Sequence, residues 1–191
     1  MTTAATPLTR RPTLAILVAI SMGGTLAMNM ILPSLPALEK SFSADKATVQ
    51  LTLSLFLVGI ALAQLVYGPI SDRYGRRPMV LVGTLILIAG TVVCLLATTI
   101  EVMIVGRIIQ AVGGCAGMVM GRAMVRDMFD ADRAAAAIAY LTMAAVVAPT
   151  LAPLIGGYLE EWFNWSAGFV FVLAMSGMIL VYALVASHET L

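Results

Sequence analysis

The chain has 191 residues, 61% of them hydrophobic and 11% charged, and a net charge of +1. A water-soluble domain of this length cannot hide so much apolar surface in one core, so the surrounding solvent reads as lipid. Near-neutral charge supplies no basic field for nucleic acid, and one histidine with two cysteines, Cys94 and Cys115, builds neither a zinc-type ligand set nor a histidine-assisted nucleophile.

Six apolar stretches follow one another, at about 14 to 35, 47 to 70, 79 to 97, 102 to 124, 134 to 158 and 166 to 186. At 1.5 Å per residue each covers roughly 28 to 37 Å, enough for a hydrocarbon layer of ~30 Å. The chain therefore divides into a tail, 1–13, a six-helix bundle, 14–186, and a short end, 187–191. The first stretch follows Arg10 and Arg11 but is too long for a signal peptide and has no small-x-small cleavage site, so it stays as a helix. Met22, Thr25 and Asn29 share one of its faces, flanked by Ser21 and Met28. Thioether side chains repack easily and suit varied lipophilic ligands, although lipid or helix contact explains each methionine singly.

Between the second and third stretches lies Gly68-Pro69-Ile70-Ser71-Asp72-Arg73-Tyr74-Gly75-Arg76-Arg77-Pro78. Gly75 permits a tight turn there, and Arg73, Arg76 and Arg77 gather positive charge at a helix C-terminus. Asp72 needs a cation, which Arg122 or Arg126 at the end of the fourth stretch can supply. In the fourth stretch Arg107 lies about two turns in, where an ionised side chain costs about 2.5 to 3.5 kcal/mol unless it meets water or a partner. It is expected to face a cavity, with Gln110 three residues on sharing its face. Gly113, Gly117 and Gly121 form a small-residue stripe for close helix packing. The fourth stretch ends in Arg122, Arg126 and Asp127. In the fifth, Ala144, Ala148, Ala152 and Gly156 make a similar stripe interrupted by Pro149 and Pro153, a bend that is either static or gating. Trp162 and Trp165, before the sixth stretch, read as interfacial anchors.

Basic residues set the orientation. Arg10, Arg11, Arg73, Arg76, Arg77, Arg122, Arg126 and Arg133 fall on one side, and Lys40 and Lys46 on the other. The arginine side, with both termini, is expected in the cytoplasm of an inner (plasma) membrane. Because three is odd, the two sets of three helices insert in opposite directions, giving a 3+3 inverted repeat.

The Gly68–Pro78 segment resembles the signature loop of the major facilitator superfamily. Val105 to Gly114 resembles its fourth-helix motif, and Ala148 to Gly157, with Pro149, Pro153, Gly156 and Gly157, its fifth-helix antiporter motif. Arg122 to Phe129 and Ile31 to Pro36 are similar to the Bcr/CflA-type multidrug-resistance branch. The resemblance implies an all-α integral membrane fold, one six-helix half of a twelve-helix transporter, with helix 1 lining the substrate cavity and Arg107 implicated in proton coupling. It also implies an acid in helix 1 at or near Asn29. The ten acidic residues here instead map to loops or helix ends, which leaves the chain without an embedded proton acceptor.

The expected function is a half-size multidrug-efflux-type carrier of lipophilic or cationic small molecules, lying among membrane lipids without cofactor or nucleic acid. It would act as a homodimer or with a complementary second half, since two six-helix copies insert in the same sense and can pair about the membrane normal. In such a pair Asp72 and Arg76 are expected near the partner's Asp130. A non-transporting truncated half or an assembly protein that binds a full-length partner is the alternative. A membrane enzyme has no catalytic constellation to stand on.

Overall fold

The computed structural model describes residues 14–185, so the expected tails, with Arg10, Arg11 and His188, lie outside it. The described residues form seven helices: α1 (Leu14–Asn29), α2 (Leu35–Phe42), α3 (Lys46–Tyr74), α4 (Arg76–Leu95), α5 (Ile100–Met128), α6 (Ala131–Trp162) and α7 (Ser166–Val185). Five of them, α3 to α7, are long and apolar enough to cross a membrane, while α1 is a shorter apolar helix.

The first apolar stretch is therefore not one helix from 14 to 35. Pro33 lacks the amide that would donate back to the Asn29 carbonyl, and the backbone tightens into three-residue turns instead. Leu32 N donates to Asn29 O (3.2 Å) and Ser34 N to Ile31 O (3.0 Å). Pro36 then sits in the first turn of α2, where a missing amide is harmless. Met30, Ile31 and Ser34 are buried in the turn, which places the irregular backbone against protein rather than lipid. The segment expected as a loop, 36 to 46, thus contains a helix.

The helices α3, α5 and α6 overrun their apolar limits at both ends because polar ends still close backbone hydrogen bonds, and α4 begins three residues before its apolar stretch. Asp45 caps α3, accepting from the amides of Ala47 (3.0 Å) and Thr48 (3.2 Å). The expected 71–78 connection shrinks to one residue, Gly75, between α3 and α4. At φ 92° it adopts a conformation that glycine alone takes without strain. The helix α6 runs unbroken through Pro149 and Pro153.

The packing is that of an inverted repeat. Exchanging the triplet α1, α3, α4 with α5, α6, α7 carries the contact of α3 with α5 onto that of α6 with α1, and α4 with α5 onto α7 with α1; α1 with α5 and α4 with α7 map onto themselves. At the centre, α5 and α1 meet backbone to backbone. A Cβ on Gly24 would lie 2.7 Å from the Gly114 carbonyl oxygen, and Gly117 stands equally close to the Ile20 carbonyl. Gly113, expected in the same stripe as Gly117, instead packs on Leu87 of α4. The α6 stripe serves the symmetry-related contact, with Ala148 and Ala152 fully buried and Gly156 against the Met30 carbonyl.

Candidate functional site

The apolar interior separates into two clusters. One holds Met30, Phe56, Leu87 and Ala111; the other, toward the end that carries Lys40 and Lys46, holds Ile31, Val49, Cys94 and Met103. Between them, on three successive helices, fall the fully buried polar side chains Thr52, Thr91, Arg107 and Gln110. This is a polar layer across the bundle, nearer the end that carries Lys40 and Lys46.

Arg107 organises it. Its Nη1 donates to the Ala27 carbonyl in the last turn of α1 (2.8 Å) and to Gln110 Oε1 (2.5 Å). Gln110 Nε2 donates to Thr91 Oγ1 (2.9 Å), and Thr91 Oγ1 donates in turn to the Leu87 carbonyl (2.7 Å). The guanidinium lies over the Phe56 ring, 4.1 Å from the centroid, a stacked cation–π geometry that strengthens with desolvation. Arg107 thus joins α1, α3 and α5, and through Gln110 reaches α4. The expected pairing of Arg107 with Gln110 is present, but the arginine is enclosed rather than on an open cavity wall. Phe56, Thr91 and the Ala27 carbonyl were not legible as partners, because nothing in a single sequence distinguishes them from ordinary apolar-helix residues and backbone.

Met22, Thr25 and Asn29 are partly exposed on one side of α1, with Asn29 Nδ2 donating to the Thr25 carbonyl (2.8 Å). They sit apart from the buried layer.

A second constellation closes the arginine-rich end. Arg76 forms ion pairs with Asp72 (2.7 Å) and Asp127 (3.0 Å) and also donates to Ser71 Oγ. Asp72 is therefore paired with Arg76 and not with Arg122 or Arg126: the Gly75 turn folds the first residue of α4 back onto the last turn of α3, whereas Arg122 and Arg126 are exposed. Arg76 is largely buried, at 12% side-chain exposure, against 67% for Asp72, so the clamp presents one carboxylate outward. Arg77 donates to the carbonyls of Ala183 (3.4 Å) and Leu184 (3.2 Å), tying α4 to the end of α7. Arg73 lies over the ring of its neighbour Tyr74. Gly68, Asp72, Arg76, Arg126 and Asp127 line a cleft of about 320 Å³. On α6, Pro149 is exposed, Gly156 is buried, and Gly157 stands beside Pro33 of the α1–α2 turn.

An inverted-repeat bundle of apolar helices with an arginine in its interior and a charged one-residue joint at one end defines a six-helix half of a secondary-transporter fold. Residues 16–190 match the Major Facilitator Superfamily, to which the chain belongs. It is 35% identical over 162 residues to multidrug resistance protein D of Escherichia coli (strain K12), covering 85% of this chain and 40% of that one. It is 34% identical over 165 residues to the bicyclomycin resistance protein homolog of Haemophilus influenzae (strain ATCC 51907 / DSM 11121 / KW20 / Rd), covering 84% and 40%. Among solved structures, the inward-facing bacterial homolog of the human lysosomal transporter Spinster superposes with a TM-score of 0.80 at 20% identity, over 97% of this chain and 44% of that one. The chain thus spans about two fifths of the length of its curated relatives.

Proposed function

We propose that this chain is half of a multidrug-efflux-type secondary transporter that carries lipophilic small molecules across a bacterial inner membrane, with its arginine-rich end in the cytoplasm. The observation that carries the reading is Arg107: a guanidinium fully enclosed among membrane-length helices is expensive to place there, and residues of this kind inside membrane helices mark substrate or ion pathways. Its bond to the Ala27 carbonyl couples it to α1, whose partly exposed Met22, Thr25 and Asn29 face supplies an adaptable wall. With Arg107 buried and no embedded acid among the described residues, neutral or anionic cargo fits this layer better than cationic cargo. The Gly68–Arg77 joint, with Asp127, serves as the conformational switch, and the proline-bearing stretch of α6 that ends at Gly156 and Gly157 as the moving wall opposite α1.

Two copies pairing about the membrane normal, or one copy with a complementary second half, complete the pathway. Within the chain Arg76 is already held by Asp72 and Asp127, so the inter-half contact falls to the exposed Asp72 carboxylate, set against the free amides at the positive end of the partner's α6, near Asp130. The test is flux of a lipophilic dye through liposomes holding this chain alone, with and without a pH gradient. Flux that disappears in Arg107→Ala supports the reading; no flux under any gradient, at any protein density, overturns transport by the chain alone.

A further inference from the structure

Arg107 spends only one corner of its donor set. Nη1 serves both Ala27 and Gln110, whereas Nε and Nη2, equally enclosed, have no acceptor among the described residues. Nε and Nη2 form one edge of the planar guanidinium, with parallel N–H donors spaced to meet the two oxygens of a single carboxylate. That edge is held in a fixed orientation. The ring of Phe56 supports the plane, and the chain of bonds through Gln110 and Thr91 to the Leu87 carbonyl fixes the rotamer. A buried donor without an acceptor is costly, and two on one edge make a receptor for a matching anion.

Nothing within the described chain fills this role. The two ion pairs among the described residues both belong to Arg76, and none of the described acids lies in the interior of a membrane-length helix. We infer that the Nε–Nη2 edge of Arg107 is a carboxylate-binding site in the polar layer, its carboxylate carried by the transported molecule. The inference rests on the transport reading and narrows it to lipophilic weak acids and zwitterions. The layer is closed in this conformation, so α1, which carries the Ala27 carbonyl next to the Met30–Ser34 turn, has to shift before a carboxylate enters.

The experiment titrates the full chain, labelled with ¹⁵N-arginine and held one copy per lipid nanodisc, with octanoate, octanol and octyltrimethylammonium. The Arg107 Nε–H signal is identified by slow exchange and by its loss in Arg107→Lys, which keeps the charge and removes the fork. Octanoate is expected to move this signal saturably and, by isothermal titration calorimetry on the same discs, to bind about ten- to a hundredfold more weakly to the lysine variant; octanol and the quaternary amine leave the signal in place. A signal that already stands at its carboxylate-bonded position without octanoate, in one-copy or two-copy discs, overturns the vacancy from which the site is inferred. A signal unmoved by octanoate in one-copy discs, or moved equally by octanol, overturns the site. No flux is read here, so a chain that binds octanoate and transports nothing keeps the site and loses the transport reading.

Discussion

Arg107 and Gln110 offer a way to separate what the buried polar layer does for folding from what it does for function. Replacing interior ionic groups with apolar ones of similar volume is often neutral, or stabilising by about 1 to 4 kcal/mol, provided no polar partner is left behind. The double variant Arg107→Met/Gln110→Leu removes both side chains of the hydrogen-bonded pair but leaves the Ala27 carbonyl and the Thr91 hydroxyl without them; it is expected to lose all flux while unfolding in mixed micelles no more easily than Arg107→Met alone. That single variant strands Gln110 Oε1 as well and is expected to cost about 1 to 3 kcal/mol. A double variant clearly less stable than the single one would give Gln110 a structural role of its own. At the joint, Gly75 has φ 92°, and alanine there is expected to cost about 1 to 3 kcal/mol of strain, read by the same unfolding titration. Asp45 gives a pH signature. Its hydrogen bonds from the Thr48 hydroxyl and amide hold its carboxyl below the ordinary value of 3.8. The cap is therefore fully stabilising above that value and is lost as the pH falls through the lower folded one. Faster amide exchange at Ala47 and Thr48 only under strongly acid conditions is the expected record.

At the scale of elements, glycines distinguish contact from vacancy. A Cβ on Gly114 would stand 2.7 Å from the Gly24 Cα, whereas one on Gly68 meets nothing within 4 Å. Gly114→Ala is accordingly expected to push α1 off α5 and cost about 1 to 3 kcal/mol, while Gly68→Ala leaves stability unchanged; any loss of flux in the latter then reports on switching rather than packing. Which glycine touches which helix was not legible: the spacing of Gly113, Gly117 and Gly121 gave a stripe, but helix twist hands Gly113 to α4 and leaves Gly117 for α1, a division set by tertiary packing. The break after Asn29 was legible in principle from Pro33 and Pro36 and was masked by apolar length, since Leu32 and Leu35 carry the hydrophobic run across the turn. Asp72 was misassigned for a similar reason. The sequence points to Arg122 or Arg126 as its partner, and only the direction taken by the chain at Gly75 selects Arg76.

For the whole molecule, apolar length was enough to read a bundle of membrane-crossing helices, because every backbone group in lipid has to find its partner within the fold; that the bundle is half of a larger fold was legible only through the resemblance of its loop and helix motifs. The pairing of halves is a property of the assembly and is tested there. Cysteines at positions 72 and 130 are expected to cross-link between copies when two chains share a disc; only intramolecular links, at any density, would remove the proposed contact. A membrane-impermeant thiol reagent is expected to miss a cysteine at position 73 from outside and to reach one at position 40, and the reverse labelling would invert the assigned orientation. One feature of the joint bears on all such motion. With 29 residues in α3 and 20 in α4, rods of about 44 and 30 Å meet at a single glycine with no slack to absorb a mismatch. A rotation of about 10° there sweeps the far end of the longer rod through about 8 Å, by the length just given. In the switch proposed above, Gly75 would serve as the fulcrum, and the two carboxylates gripping Arg76 as the brake on the lever.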